Sequence, residues 1–253
     1  MKITILSPTV RPKGLYVTAS AVSRQDFRDF EWLVGSPFVP ELETDNIPNY
    51  KWVEDGFGGG LWSLNRVMNK MLKEAKGEII VSLQDWIWVP PDGLQKFVDA
   101  FADLHSQGIE AIVSGVGDQY EKMGKFKPEV KIWSDPRKNL NNGSFYEVFP
   151  NDIEWNYCAV SRKAIFDIGG FDEEMDFRCR GVDAIQVMER LDAVGYKSYI
   201  DQANESYTIR HGREDYGGEE EWNKTHGLFN GQYEKRKKQL VEENQWPVLS
   251  YLK

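Results

Sequence analysis

The chain has 253 residues, 41% of them hydrophobic, and a formal net charge of −9. This length fits one large α/β domain with a core of its own, and the acidic balance argues against general nucleic-acid binding, which needs a basic surface. No apolar run reaches the ~20 residues of a membrane span, and we find neither a signal peptide nor enough cysteines for a disulfide framework, so a cytoplasmic protein without a membrane span is expected.

Strands and helices alternate in the first half of the chain. Runs of β-branched and aliphatic residues predict strands, and apolar residues at helical spacing predict helices. Strands are predicted at residues 3–6, 30–34, 50–53, 79–83 and 111–114, with helices at 15–27, 61–72 and 94–104. Gly77 is expected to end the second helix. This alternation is typical of a mostly parallel sheet flanked by helices.

The second half is less regular. Residues 117–151 are polar and turn-rich, and we interpret them as a loop or an irregular hairpin over one edge of the functional site. Further elements are a strand at 157–161, helices at 162–168 and 182–194, and a last strand at 197–200. The tail from 217 is acidic and then mixed in charge, with a surface helix expected at 232–243.

One predicted strand ends in a feature that indicates function. The strand at 79–83 is followed by a single carboxylate, Asp85, before Pro90 and Pro91 stop the chain from continuing as a strand. Open α/β sheets bind their ligands at the carboxyl ends of their strands. This placement predicts an enzyme that acts on a nucleotide-linked substrate.

Four segments, at residues 5–12, 59–66, 83–90 and 155–183, together resemble the GT-A fold of nucleotide-sugar glycosyltransferases, especially glycosyltransferase family two. The resemblance covers residues 3–211. It implies a GT-A (Rossmann-like) domain over 1–216, with the 217–253 tail packed on it. It also implies inverting transfer of a sugar from a nucleoside diphosphate sugar, with a UDP-sugar expected, to a hydroxyl acceptor with the help of Mn²⁺ or Mg²⁺.

The first segment matches the turn that touches the nucleotide in this family. Pro8 and Thr9 match its Pro-Thr pair, and Arg11 is expected to face phosphate. A plain strand-to-helix turn is the alternative. Family members usually end their second strand in acids that read the base, whereas this chain has Gly35 and Ser36 there, so the base stays unassigned.

The second segment resembles the family's glycine turn followed by Ala-Arg-Asn at a helix start. Asn65 matches the Asn, Leu64 replaces the Arg, and Arg66 is a substitute for the lost charge. A helix N-terminus after glycines favours an anion such as a diphosphate. The alternative is a capped amphipathic helix without a ligand.

The third segment resembles the family's Asp-x-Asp motif. Aligned on the residues that follow, Asp85 takes the place of the second Asp, which ligates the metal, while Leu83 replaces the first. Gln84 lies between them, and both Gln84 and Asp85 are expected to contact the donor nucleotide. Mn²⁺ and Mg²⁺ bind through one or two carboxylates plus substrate phosphates. A second alignment starts the motif at Gln84 and loses the metal-binding acid at Trp86. In a third reading Asp85 only caps the following turn.

A histidine after the last core strand completes the metal site in many GT-A enzymes. His211 matches it and is predicted as a metal ligand, although a single histidine is often structural. Arg213 nearby is expected to meet phosphate.

The fourth segment resembles the catalytic and acceptor side of the family. A Gly-Gly-Phe-Asp-Glu turn is followed by an acidic pair at a helix start, where Asp183 matches the catalytic base and Val182 replaces the first acid. An N-cap aspartate is the alternative reading of Asp183. Trp155, Asn156 and Gly181 are expected to contact the acceptor.

Two other functions stay open. A nucleotidyltransferase also uses a nucleotide-binding sheet, but usually has a glycine-rich loop with a basic residue after its first strand. A catalytically degenerate GT-A domain that binds a glycan or nucleotide is supported by the acids missing at Gly35, Leu83 and Val182. The acceptor is expected to be a glycan, with a modified nucleobase possible.

Overall fold

The structure is a computed structural model that describes residues 1–54, 64–140, 143–173, 176 and 183–211, together with Lys235 and Lys238. For residues 183–186 it describes the backbone alone. The predicted tail helix at 232–243, Gly181 and Arg213 therefore lie outside the described residues. None of the helices within these ranges combines the length and the apolar composition needed to cross a bilayer.

The described elements alternate as the sequence predicts. The strands are β1 Ile3–Pro8, β2 Phe30–Ser36, β3 Tyr50–Glu54, β4 Ile79–Leu83, β5 Ile87–Trp88, β6 Ala111–Met123, β7 Pro128–Trp133, β8 Phe145–Val148, β9 Tyr157–Ser161 and β10 Lys197–Ile209. The helices are α1 Pro12–Val22, α2 Leu64–Glu74, α3 Gly93–Ser106, α4 Arg162–Asp167 and α5 Asp183–Ala193.

The described strands form one sheet in the order β3-β2-β1-β4-β9-β6-β10-β5, with β7 beside β6 and β8 beside β10. Strands β1 to β4 are mutually parallel, but β9 runs antiparallel between β4 and β6. The α/β fold class is confirmed, and the sheet is mixed rather than mostly parallel. Because β9 is antiparallel to both of its neighbours, β4 and β6 run in the same direction. β10 is parallel to β6, so β1, β4, β6 and β10 all end at the same carboxyl edge.

Side chains on both faces of the sheet are buried, which explains why the central strands read as continuous apolar runs. On one face Ile5, Trp32 and Phe97 belong to the core under α1 and α3. On the other face Leu6 and Met68 belong to the core under α2, α4 and α5. The result is a three-layer arrangement with the sheet in the middle.

Two sequence predictions differ from the structure. β6 continues to Met123 and pairs with β7 as a hairpin, so the irregular region expected at 117–151 is partly regular. β10 likewise extends to Ile209 alongside β6. The sequence did not predict the extension of β10 because its polar and aromatic side chains alternate on a partly exposed ribbon.

Gly77 does not end α2, which stops at Glu74. Instead, a Cβ at Gly77 would lie 2.4 Å from the Thr4 amide nitrogen and 2.6 Å from the Ile3 carbonyl carbon. The glycine is required because the backbone passes β1 at close range.

The hairpin extension is anchored by buried charges. Asp118 is 2% exposed, and its carboxylate accepts hydrogen bonds from the Asp135 amide at 3.1 Å, Lys131 Nζ at 3.3 Å and Lys138 Nζ at 3.0 Å. Burial raises the pKa of Asp118, but the hydrogen bonds from Lys138 and the Asp135 amide outweigh it, so the pKa lies below its usual value.

Asp118→Asn is expected to lower the free energy of unfolding at pH 7 by about 1–3 kcal/mol, because it removes charge-assisted hydrogen bonds. A carboxyl with a lowered native pKa stabilises above its unfolded pKa of ~3.9 and loses that contribution as pH falls through the native pKa. Urea denaturation at a series of pH values should therefore show the difference between wild type and Asp118→Asn shrinking on acidification.

The control for this experiment is Glu129→Gln in the same hairpin. Glu129 pairs with Lys122 at 3.6 Å, and both side chains are at least half exposed, so its removal should leave the stability near that of wild type. A gap between Asp118→Asn and wild type that stays constant with pH would contradict the role assigned to the Asp118 charge.

Candidate active site

The site lies where the sheet changes its winding direction. The chain runs from β1 outwards to β2 and β3, then returns to the other side of β1 as β4. The loops after β1 and β4 therefore lie side by side at the carboxyl edge, at the point where the strand order reverses. Such a switch point is where open α/β sheets bind ligands, and both predicted donor segments begin there.

A buried ion pair joins these two loops. Arg11 Nε donates to Asp85 Oδ2 at 2.9 Å, and Arg11 Nη2 contacts Asp85 Oδ1. Thr9 Oγ1 donates to Asp85 Oδ2 at 2.5 Å and accepts the Arg11 amide at 2.8 Å. Pro8, the last residue of β1, pairs with Gly35 and fixes where this loop leaves the sheet. Thr9 and Arg11, predicted as separate donor contacts, thus form one unit with Asp85.

The turn from β4 to β5 is held by α1 and by the segment before β9. The Gln84 amide donates to the Asn156 carbonyl at 3.0 Å, and Thr18 Oγ1 donates to the Gln84 carbonyl at 3.0 Å. Trp86 has a φ of 62°, a conformation that is uncommon for a bulky residue and costs energy unless its surroundings enforce it. Its amide donates to the Gly14 carbonyl at 3.1 Å, so the turn is fixed on several sides.

Gly14 makes this approach possible. A Cβ there would lie 2.6 Å from two atoms of the Trp86 ring and 2.9 Å from Asp85 Cβ. Sequence analysis missed Gly14 and Thr18. A glycine within the first turns of a helix is a signal of close packing, because it costs about 1 kcal/mol relative to alanine.

His211 lies next to the same turn. β10 pairs with β5 through Thr208 and Ile87, which carries the chain after Ile209 past Trp86. The His211 ring stacks on Trp86 with ring centroids 5.5 Å apart, and its Nδ1 is 3.0 Å from the Ile209 carbonyl oxygen. The structure therefore places His211 against the turn that follows Asp85, and its role as a metal ligand stays a prediction.

The arrangement of these residues does not fit the predicted metal ion. Both oxygens of Asp85 contact Arg11, and Oδ2 also accepts from Thr9. A divalent cation bound by this carboxylate would have to displace the guanidinium, since two positive groups repel each other there. Within the described ranges, no three His, Cys, Asp or Glu side chains form a group that could hold a metal.

The N-terminus of α2 binds a carboxylate of the same chain. Asp176 is 4% exposed, and its Oδ1 accepts from the Asn65 amide at 2.6 Å and from Asn65 Nδ2 at 3.0 Å, while Oδ2 accepts from the Arg66 amide at 2.9 Å. This helix end has the anion preference that the sequence predicts, but Asp176 is the anion seen there. Sequence analysis missed Asp176. Donor contacts by Asn65 and Arg66 stay predictions.

The structure describes two of the three predicted acceptor residues, Trp155 and Asn156, and the backbone of Asp183. Trp155 is 4% exposed and packs edge-on against Phe171 at 5.3 Å, so it lies in the core rather than on an open surface. Asn156 is half-buried beside Gln84. Asp183 is the first residue of α5. Because α5 leads into the start of β10 at the opposite edge, this helix begins at the carboxyl edge.

A cavity of about 300 Å³ lies between the first turns of α1 and the segment after β2. The lining residues are Pro12, Leu15, Tyr16, Phe38, Val39, Pro40, Glu41 and Leu42. Its volume is at the lower end of the ~300–1,000 Å³ typical of ligand pockets. Sequence analysis gave no sign of it, because its walls come from separate segments with no shared motif.

No protein-family model matches the sequence, and no curated protein matches it. Solved structures do match. Residues 1–349 of TarS from S. aureus, in complex with UDP-GlcNAc, align with a TM-score of 0.61 at 14% identity, over 86% of this chain and 61% of that one. The same protein with UDP gives a TM-score of 0.59 at 15% identity, over 90% and 64% of the two chains.

The mannosyltransferase PcManGT from Pyrobaculum calidifontis, in complex with GDP-Man and Mn²⁺, gives a TM-score of 0.59 at 18% identity, over 84% of this chain and 58% of that one. This chain thus spans about three fifths of the length of the chains in these structures. The matches show the fold, which is the GT-A fold that the sequence resemblance implies.

Gly14→Ala is expected to lower the free energy of unfolding by about 1–3 kcal/mol, as overpacking does, because its Cβ would overlap Trp86 and Asp85. An uncrowded glycine in a helix would respond in the opposite direction, with a gain of roughly 1 kcal/mol. Guanidinium denaturation shows whether the free energy of unfolding falls or rises. Lys13→Ala, an exposed neighbour on α1, should leave the stability nearly unchanged, and a stabilised Gly14→Ala would contradict the close packing.

Proposed function

We propose that this protein is a glycosyltransferase that transfers a sugar from a nucleoside diphosphate sugar, expected to be a UDP-sugar, to an acceptor hydroxyl. The observation that carries the proposal is the Thr9–Arg11–Asp85 unit at the switch point of a GT-A fold. Arg11 directly precedes Pro12, which lines a cavity, and a guanidinium together with a cavity is the combination that a phosphorylated nucleoside requires.

The cavity between α1 and residues 38–42 is the proposed nucleoside site. Tyr16 lines it and is 54% exposed, so its ring offers a flat apolar face to a base. Glu41 is the acid on the cavity wall and takes the base- or ribose-reading role that no residue at the end of β2 supplies. From there the diphosphate extends towards Arg11.

Asp183 is the proposed general base. The start of α5 lies at the same carboxyl edge as Asp85, as the chain path through β10 requires. Asp183 accepts the proton of the acceptor hydroxyl as its oxygen bonds to the anomeric carbon. The bond from that carbon to the diphosphate breaks at the same time, so attack from the opposite face inverts the anomeric centre. A glycan is the expected acceptor, with a modified nucleobase as the alternative.

Calorimetry with UDP, GDP, ADP and CDP tests the donor site. At least one diphosphate is expected to bind, and Tyr16→Ala should weaken that binding about tenfold, in line with a stacking contribution of roughly 1–3 kcal/mol per base. Phe149→Ala is the matched control, since Phe149 is 80% exposed and does not line the cavity. Equal losses in both variants would contradict the assignment of the cavity.

Asp183→Asn is expected to abolish sugar transfer, or to slow it by roughly 10²–10⁴-fold, while the donor still binds with wild-type affinity. The amide keeps the shape of the carboxylate but cannot accept a proton. Product analysis with the sugar nucleotide that binds, in single-turnover reactions with a panel of glycans, measures the effect. Wild-type turnover in Asp183→Asn would remove its role as base, and no transfer by the wild-type protein despite donor binding would favour a degenerate binding domain.

A further inference from the structure

The ion pair between Arg11 and Asp85 occupies the position where the family resemblance expects a metal ion. The two residues lie 74 positions apart in the sequence, so the pair forms only once β1 and β4 are side by side. Its geometry is a two-point contact, with Nε and Nη2 of Arg11 on the two oxygens of Asp85. A planar guanidinium matches a carboxylate in this way, which a lysine ammonium cannot do.

The pair is covered unequally. The Arg11 side chain is 8% exposed and the Asp85 side chain 3%, so the carboxylate is the more deeply covered partner. Thr9 Oγ1 adds a third hydrogen bond to it at 2.5 Å. A carboxylate with these contacts already has the positive partner and the hydrogen-bond donors that compensate for its burial. It therefore gains little from a cation that must first expel Arg11.

Building on the glycosyltransferase function proposed above, we propose that this protein binds the diphosphate of its donor without a divalent cation, and that Arg11, oriented by Asp85, supplies the positive charge. Arginine binds phosphate oxygens through short charge-assisted hydrogen bonds. Asp85 is then a positioning residue for Arg11 and not a metal ligand.

Because the Arg11–Asp85 pair carries no net charge, its attraction for a diphosphate depends on how the pair is oriented. Asp85 with a divalent cation would be net positive, whereas the Arg11–Asp85 pair is neutral as a whole. The pair attracts a diphosphate only if the guanidinium stands between the carboxylate and the phosphate. The hydrogen bond from the Trp86 amide to the Gly14 carbonyl and the close packing at Gly14 hold the Asp85 turn against α1. Arg11 is the more exposed partner of the pair, and in the proposed complex its guanidinium lies between Asp85 and the phosphate.

The first test uses the wild-type protein alone. Protein stripped with EDTA is titrated calorimetrically with UDP, GDP, ADP and CDP, once in EDTA and once with Mn²⁺. The dissociation constant of the diphosphate that binds is expected to be the same within twofold in both buffers. A gain of tenfold or more with Mn²⁺ would overturn metal-independent binding but leave the donor site standing. If no diphosphate binds in either buffer, the proposed glycosyltransferase function falls together with this inference.

The second test separates diphosphate binding from general stability. Arg11→Ala is expected to weaken binding of the nucleoside diphosphate at least tenfold and to leave binding of the matching nucleoside unchanged. Asp85→Asn keeps the shape of the carboxylate and should weaken binding of the nucleoside diphosphate several-fold. Addition of Mn²⁺ should leave the affinity of this variant unchanged. A loss that affects nucleoside and diphosphate equally would show a merely structural role and overturn the inference.

The matched control is Arg24→Ala. Arg24 is an exposed arginine just after α1 whose Nη1 donates to the Phe126 carbonyl at 3.0 Å, away from Asp85. It should leave both affinities at wild-type values. Because the comparison of EDTA with Mn²⁺ needs no variant, a failure of Arg11→Ala to fold would still leave the inference open to refutation.

Discussion

A buried ion pair between Arg11 and Asp85 ties together the ends of the two central strands. Burying either charge alone would be costly, so the two loops after β1 and β4 are stable only in the arrangement in which Arg11, Thr9 and Asp85 meet. The relative position of the two loops at the carboxyl edge follows from this requirement. Any ligand bound there meets an already fixed guanidinium, which lowers the entropy cost of binding.

The packing around the pair extends its effect to the rest of the edge. Gly14 lets α1 approach the β4–β5 turn, and that turn holds Trp86 in a conformation that its neighbours must enforce. Trp86 in turn stacks on His211 after β10. The N-terminal loop and the last described strand are thus linked through contacts centred on one turn.

Other buried carboxylates satisfy hydrogen-bond donors of the same chain. Asp176 satisfies the amides at the start of α2. Asp118 accepts hydrogen bonds from the Asp135 amide and Lys138 Nζ, and Asp135 accepts one from the Gly117 amide of β6. Each replaces an anion or a water that these donors would otherwise need. In this chain, carboxylates of its own sequence therefore bind these buried donors.

The sequence alone determined the fold class and most strands and helices, and it predicted a site at the carboxyl edge. Apolar periodicity and strand-ending prolines are local signals, and the position of Asp85 after a strand was enough to single it out. Thr9 and His211 were identified through the resemblance to glycosyltransferase family two. Tertiary structure decided the reversed direction of β9, the cavity beside Tyr16, and the partners of Asp85 and Asn65. Those partners are Arg11 and Asp176, 74 and 111 residues away. Which charge neutralises which depends on distances through space, and only the folded sheet sets those distances.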